Sequence, residues 1–180
     1  MAEVGSMAME LLAAPYLEET NGGFYSAEDA RRARREHLES VLFLLTWVAT
    51  VDAFQHWLYT SGKGGDRTMR DAAWQEIAGR FSTKFVRAVE HGIAADASYA
   101  SSCPLHYIEY AIAQLGALQV WRNSLNDQAA TEAYRAALAL GNTRPLPELF
   151  EAAGVRFAFD AGTIGELATL IEDQLALLDD

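Results

Sequence analysis

The sequence predicts an all-α fold, a multi-helix bundle making one helical domain over residues 1–180. Three observations carry that reading. Apolar residues recur at helical spacing through most of the chain, N-cap and glycine stop signals punctuate it, and no alternating runs are joined by a hairpin turn. A chain of 180 residues with 51% apolar and 22% charged residues is long and apolar enough for a real core.

The elements follow in order. Met7, Leu11, Leu12 and Ala14 fit a short amphipathic helix ending near Pro15. Asn21-Gly22-Gly23 is a turn, and Ser26 is an N-cap followed by the first-turn acids Glu28 and Asp29. A long helix is expected over 27–59. Its first half is charged (Arg31, Arg32, Arg34, Arg35, Glu36), and its second, 41–58, is apolar almost all round. Such a helix is a buried one, needing partners on every side. Gly62-Lys63-Gly64-Gly65 breaks the chain, and Asp66 caps a helix running to Phe81. Ser82-Thr83 caps another to Val89, and the Ala- and Ser-rich stretch 91–102 has little pattern. Pro104 sits in the first turn of a helix to about Leu125. Asp127 starts the next, stopped by Gly141-Asn142, and 145–153 is a short helix ended by Gly154. Residues 155–159 form an extended segment packing two Phe rings. Thr163 caps the last helix, with Glu166 completing a capping box.

Charge narrows the function. The net charge is −11, which disfavours nucleic acid as a partner, because phosphate contacts need a basic face. It disfavours anionic membrane surfaces equally. The longest clean apolar run, 41–51, is about half of a membrane span, and Glu3 with no Lys or Arg before Arg31 does not fit a signal peptide. A single cysteine, Cys103, excludes an intrachain disulfide and suits a reducing, cytoplasmic setting.

Few motifs carry chemistry. No two of the four histidines stand three or four apart, and no phosphate loop or nucleophile elbow is present. His56, within the apolar helix, is read as a satisfied buried histidine; His37, after four arginines, as a solvated one; and Cys103 as a free buried thiol. Two constellations stand out. Glu3 and Glu10 are seven apart, two turns along one helix face. Tyr107 and Tyr110 are three apart, with Gln114 one turn on, and two phenols on one face could donate hydrogen bonds to a developing oxyanion. On spacing alone, solvent-facing carboxylates and core-rim tyrosines are the better explanation of both.

Taken together and in register, several stretches resemble the M3 family of zinc metallopeptidases, in its oligoendopeptidase F branch. They are Glu3-Val4-Gly5-Ser6-Met7-Ala8-Met9-Glu10-Leu11-Leu12, Gly23-Phe24-Tyr25, the run 49–59 with Phe54-Gln55-His56-Trp57, Tyr107-Ile108-Glu109-Tyr110-Ala111-Ile112-Ala113-Gln114-Leu115-Gly116-Ala117-Leu118-Gln119, and Gly141-Asn142-Thr143-Arg144-Pro145-Leu146-Pro147-Glu148-Leu149-Phe150. The resemblance implies hydrolysis of short peptides with a zinc cofactor. It implies that Glu3 is the zinc-ligating glutamate, that Glu10 orients a ligating histidine, and that Tyr107 and Tyr110 face the substrate and stabilise the tetrahedral intermediate.

The family's HExxH helix, with its two histidine ligands and general-base glutamate, is not among the 180 residues, and Cys103 stands where the family has a tyrosine. One glutamate does not replace a three-ligand set. The chain by itself is therefore expected to be inactive: a truncated or decayed product, or one that works beside another polypeptide. A non-catalytic helical module that binds peptides or a partner protein is the alternative, and a ligand-free scaffold a third reading. The apolar face of 41–58 implies a homo-oligomer.

Overall fold

The computed structural model describes residues 1–81, 105–127 and 129–179. Among them are seven α-helices and no strand: α1 (Ala2–Ala13), α2 (Ala27–Thr60), α3 (Arg67–Phe81), α4 (Ile108–Asn126), α5 (Ala129–Ala139), α6 (Leu146–Ala152) and α7 (Ala161–Ala176). The expected helix at 83–89, the stretch 91–102, Cys103 and Pro104 lie outside the described residues. The chain divides into two compact units, Met1–Leu42 with Ile112–Asp180, and Phe43–Ala111.

Local chemistry sets the helix ends. Ser26 Oγ accepts from the Asp29 N–H at 3.1 Å and donates to its carboxylate at 2.8 Å, a reciprocal cap for α2. Asp66 accepts from the Thr68 N–H at 2.8 Å before α3, and Asp127 from the Ala129 N–H at 2.9 Å before α5. Gly22, Gly141 and Gly154 take positive φ at the turns assigned to them. At α7 the cap is Asp160 rather than Thr163. Asp160 accepts from the Thr163 N–H at 3.0 Å and from its hydroxyl at 2.8 Å, so Thr163 is the third helical residue. These bonds hold the Asp160 carboxyl below the ordinary carboxylate range, the backbone N–H contributing most.

The first unit is built on small-residue contacts. Val4, Ala8 and Leu11 form the buried stripe of α1. A Cβ at Gly116 of α4 would stand 2.8 Å from the Phe150 ring of α6 and 3.5 Å from Val4. Tyr134 of α5 is fully buried and donates to the Gly5 carbonyl at 2.6 Å; burial pushes its phenol above the ordinary range. Buried Gln119 clamps the Arg156 backbone, accepting from its N–H at 3.0 Å and donating to its carbonyl at 2.9 Å. Residues 155–159 lie outside the helices, with Phe157 edge-on to both Phe150 (5.1 Å) and Phe159 (4.7 Å).

The second unit is aromatic. Phe54, Ala73 and Ile77 form its core, with Ala53, Trp57 and Trp74 packed against them. Trp74 of α3 meets both Trp47 (5.7 Å) and Phe54 (5.2 Å) of α2 edge-on.

Helix α2 departs from expectation in two ways. It is not enclosed on all sides: in its most apolar 18-residue window, mean hydropathy 1.3, only 28% of the residues are buried. That window is also long and apolar enough, by length and composition, to cross a membrane, whereas the clean run counted from sequence stops at Val51. The difference arises because the window admits isolated charges such as Asp52, and a core helix meets the same test.

Two substitutions test the packing of the first unit. Gly116→Ala drives a methyl into a ring that is itself 1% exposed and has nowhere to turn. It is expected to lower stability by about 1–2 kcal/mol despite the better helix propensity of alanine. Gly165→Ala, in α7 with open space around the added Cβ, is expected to raise it by about 0.5–1 kcal/mol. Urea unfolding of both variants checks the contrast. The two shifted groups predict opposite pH limbs. Asp160, lowered in the fold, contributes stability that is present above its unfolded pKa and lost as pH falls through the folded value; in Asp160→Asn the acid limb should flatten. Tyr134, raised in the fold, keeps its proton longer than the unfolded chain does, so stability falls as pH rises past about 10. In Tyr134→Phe that alkaline loss should shrink, as read by unfolding midpoints between pH 8 and 11.

Candidate functional site

In the first unit, α1 turns Val4, Ala8 and Leu11 inward and leaves Glu3 and Glu10 exposed on its other side. Among the described residues nothing holds the Glu3 carboxylate; Ser6 Oγ bonds only its backbone carbonyl, at 3.1 Å. Glu10 is held. Its Oε2 lies 3.2 Å from His37 Nε2 of α2, an ion pair whenever the imidazole is protonated. His37 is thus half-buried against α1 rather than solvated, because α2 passes alongside and turns position 37 toward Glu10. Among the described residues no cluster of three or more His, Cys, Asp or Glu could hold a metal ion. A lone Glu3 carboxylate is short of a catalytic zinc set, which takes three protein ligands, so the described residues do not fit the metal.

In the second unit the two tyrosines meet. Tyr107 and Tyr110 stand 5.4 Å apart between ring centroids, tilted by 55°. The Tyr107 phenol oxygen accepts from the Trp47 indole N–H at 3.1 Å. On the other side, the His106 ring lies edge-on to Tyr110 at 6.5 Å, with its Nδ1 3.2 Å from Glu109 Oε1. Leu105, just before this cluster, takes φ 57, a left-handed conformation rare for leucine, and so turns the chain into α4. Both tyrosines are half-buried.

The structure therefore pairs Tyr107 with Tyr110 and leaves Glu3 and Glu10 two turns apart on one helix, each pair within its own unit. Gln114, grouped with the tyrosines by sequence, belongs to the first unit, where its Nε2 is buried without a hydrogen-bond partner among the described residues. His56 is a correction. It is exposed and 3.8 Å from Asp52, while its neighbour Gln55 is the buried residue. Val41, Val48 and Gln55 follow the seven-residue repeat of the buried stripe, and His56 is one residue, 100°, off it. Trp47 and His37 are the partners that sequence reasoning missed. Each lies tens of residues from the group it holds, so no local spacing marks it.

Comparison with known proteins gives the geometry a context. Peptidase family M3 matches residues 1–169. A solved structure assigned as an oligoendopeptidase F from Bacillus anthracis str. Ames is 29% identical with a TM-score of 0.75, covering 98% of this chain and 28% of that one. Another oligoendopeptidase F structure is 27% identical with a TM-score of 0.76, covering 96% of this chain and 31% of that one. PZ peptidase A, solved with an inhibitor, shares the fold at 23% identity with a TM-score of 0.78, covering 96% of this chain and 31% of that one. Curated protein sequences give no significant match. The chain thus spans about three-tenths of the length of the structures it matches. With the M3 match running through almost the whole sequence and the helical architecture following oligoendopeptidase F structures, the chain belongs to peptidase family M3 and is oligoendopeptidase F-like.

Proposed function

We propose that this chain is a C-terminal portion of the catalytic domain of an oligoendopeptidase F-like zinc metalloendopeptidase that hydrolyses short peptides, and that the 180 residues alone do not turn over substrate. The observation that carries the reading is the M3 match over residues 1–169, which includes both candidate constellations. In this reading Tyr107 and Tyr110 face the substrate and donate hydrogen bonds to the oxyanion of the tetrahedral intermediate. The bond from Trp47 supports that role for Tyr107, since accepting one hydrogen bond polarises the phenol as a donor. Glu3 would offer a carboxylate toward zinc, and Glu10 would orient a neighbouring histidine. The described residues hold no complete metal set, so no zinc step falls to them. The setting is cytoplasmic, without nucleic-acid or membrane partners. The half-exposed apolar face of α2 is covered by self-association.

A second reading is a non-catalytic helical module that binds peptides or a partner protein; the lack of a three-ligand cluster among the described residues is what favours it. Turnover in a completed domain separates the two.

Zinc titration of the metal-stripped chain by calorimetry is expected to show no stoichiometric uptake and no difference between wild type and Glu3→Ala. Stoichiometric uptake lost in Glu3→Ala would mean that ligands outside the described residues, or on a second copy, complete a site. When the chain is joined to an M3 segment carrying HExxH, turnover of quenched-fluorescent short peptides is expected. Tyr107→Phe should then lower kcat by about 10²–10³ with KM little changed. Binding without turnover in the joined protein would favour the module.

A further inference from the structure

We infer that Trp47 is a positioning residue for the Tyr107 phenol, fixing both where its oxygen sits and which way its proton points; the inference rests on the substrate-facing role proposed for Tyr107. An indole N–H can only donate. At 3.1 Å from Trp47 Nε1, the Tyr107 oxygen must therefore accept on that side, and its own hydrogen is directed elsewhere. A water or a hydroxyl in place of the indole could reverse the bond; tryptophan cannot.

Trp47 is itself fixed. Phe43, one turn before it on α2, stacks on it at 6.2 Å with an interplanar angle of 11°, and Trp74 of α3 meets it edge-on at 5.7 Å. Trp74 is in turn seated on Phe54 at 5.2 Å. The indole is thus braced by aromatic rings from two helices, and it reaches across 60 residues of sequence to the phenol. Tyr110, 5.4 Å from Tyr107, shares the constraint through ring contact. An oxyanion donor works when it is already aimed, and small misplacements of such a group are costly. The ring stack by itself would be served by phenylalanine at position 47. What tryptophan adds is the N–H.

The test is NMR on the chain labelled with ¹³C in its tyrosine rings and ¹⁵N in its indoles, with Tyr107→Phe and Trp47→Phe assigning the two signals. Trp47→Phe keeps the aromatic contacts and removes the donor. It is expected to move the Tyr107 ring signal toward that of free tyrosine. Tyr107→Phe, which covers the case in which the first variant fails to fold, is expected to move the Trp47 indole signal upfield and speed its solvent exchange, with Trp57, Trp74 and Trp121 unmoved. In the same samples, a short peptide should shift the Tyr107 signal, with affinity roughly 5- to 10-fold weaker in Trp47→Phe. A Tyr107 signal indifferent to Trp47→Phe, or a Trp47 indole that exchanges as a free one in wild type, would overturn the inference. If the Trp47 effect is present but no peptide disturbs Tyr107 or Tyr110, the substrate-facing role of the tyrosines fails, and the bond is structural only.

Discussion

The first unit depends on one contact that admits no side chain. Gly116 of α4 lets the Phe150 ring approach the helix backbone to within the space a methyl group would take, with Val4 in ordinary contact beside it. Close packing of this kind transmits displacement, because a dense interior has no slack to absorb it. Once α1 is seated there through Val4, Ala8 and Leu11, the Tyr134 bond to the Gly5 carbonyl fixes it along its axis. The exposed side of α1 is then decided as well, and with it the places of Glu3 and Glu10. The position of a candidate metal-facing carboxylate is thus set by the packing of α1 and by a tyrosine on a different helix.

The second unit solves the corresponding problem with bulk. Trp74 meets Trp47 and Phe54 edge to face, an arrangement that aromatic quadrupoles favour over sandwich stacking. Tyr107 takes its place from that lattice through the Trp47 N–H. The two units therefore hold candidate groups by different means: a glycine contact and a buried phenol place the acids, and an aromatic lattice places the tyrosines. Glu10 and Tyr107 also carry polar anchors, His37 and Trp47 respectively, whereas Glu3 carries none among the described residues.

How much of this was legible in the sequence follows from the range of the interactions. Ser26, Asp66 and Asp127 cap helices by bonds spanning two or three residues, and their roles could be read directly. The α7 cap was misplaced by three residues because two overlapping signatures compete there, Asp160 with Thr163 and Thr163 with Glu166. Asp160 takes the cap, with extended backbone and its carboxylate on the Thr163 N–H. The helical phase of α2 was not legible, since apolar residues surround 41–58 on every side and no amphipathic stripe distinguishes Gln55 from His56. Pairings such as Glu10 with His37 depend on which helices become neighbours, which local pattern does not encode. The candidate site residues were reached through family resemblance rather than spacing, because paired acids and paired tyrosines on a helix are common for mundane reasons.

The charge distribution bears on how the apolar half of α2 is covered. A net charge of −11 opposes close approach of two copies, so self-association looks disfavoured at first. Yet between positions 41 and 58 the only carboxylate is Asp52, and it lies 3.8 Å from His56. The acidic excess is thus carried away from this stretch, where Phe43 stands more than a third exposed, as does Tyr59 just beyond it. Screening at physiological salt reaches about 8 Å, so repulsion between distant acids is damped while apolar burial is not. The self-association proposed for α2 would therefore be opposed mainly by the charge of the whole molecule, and salt should favour it rather than weaken it.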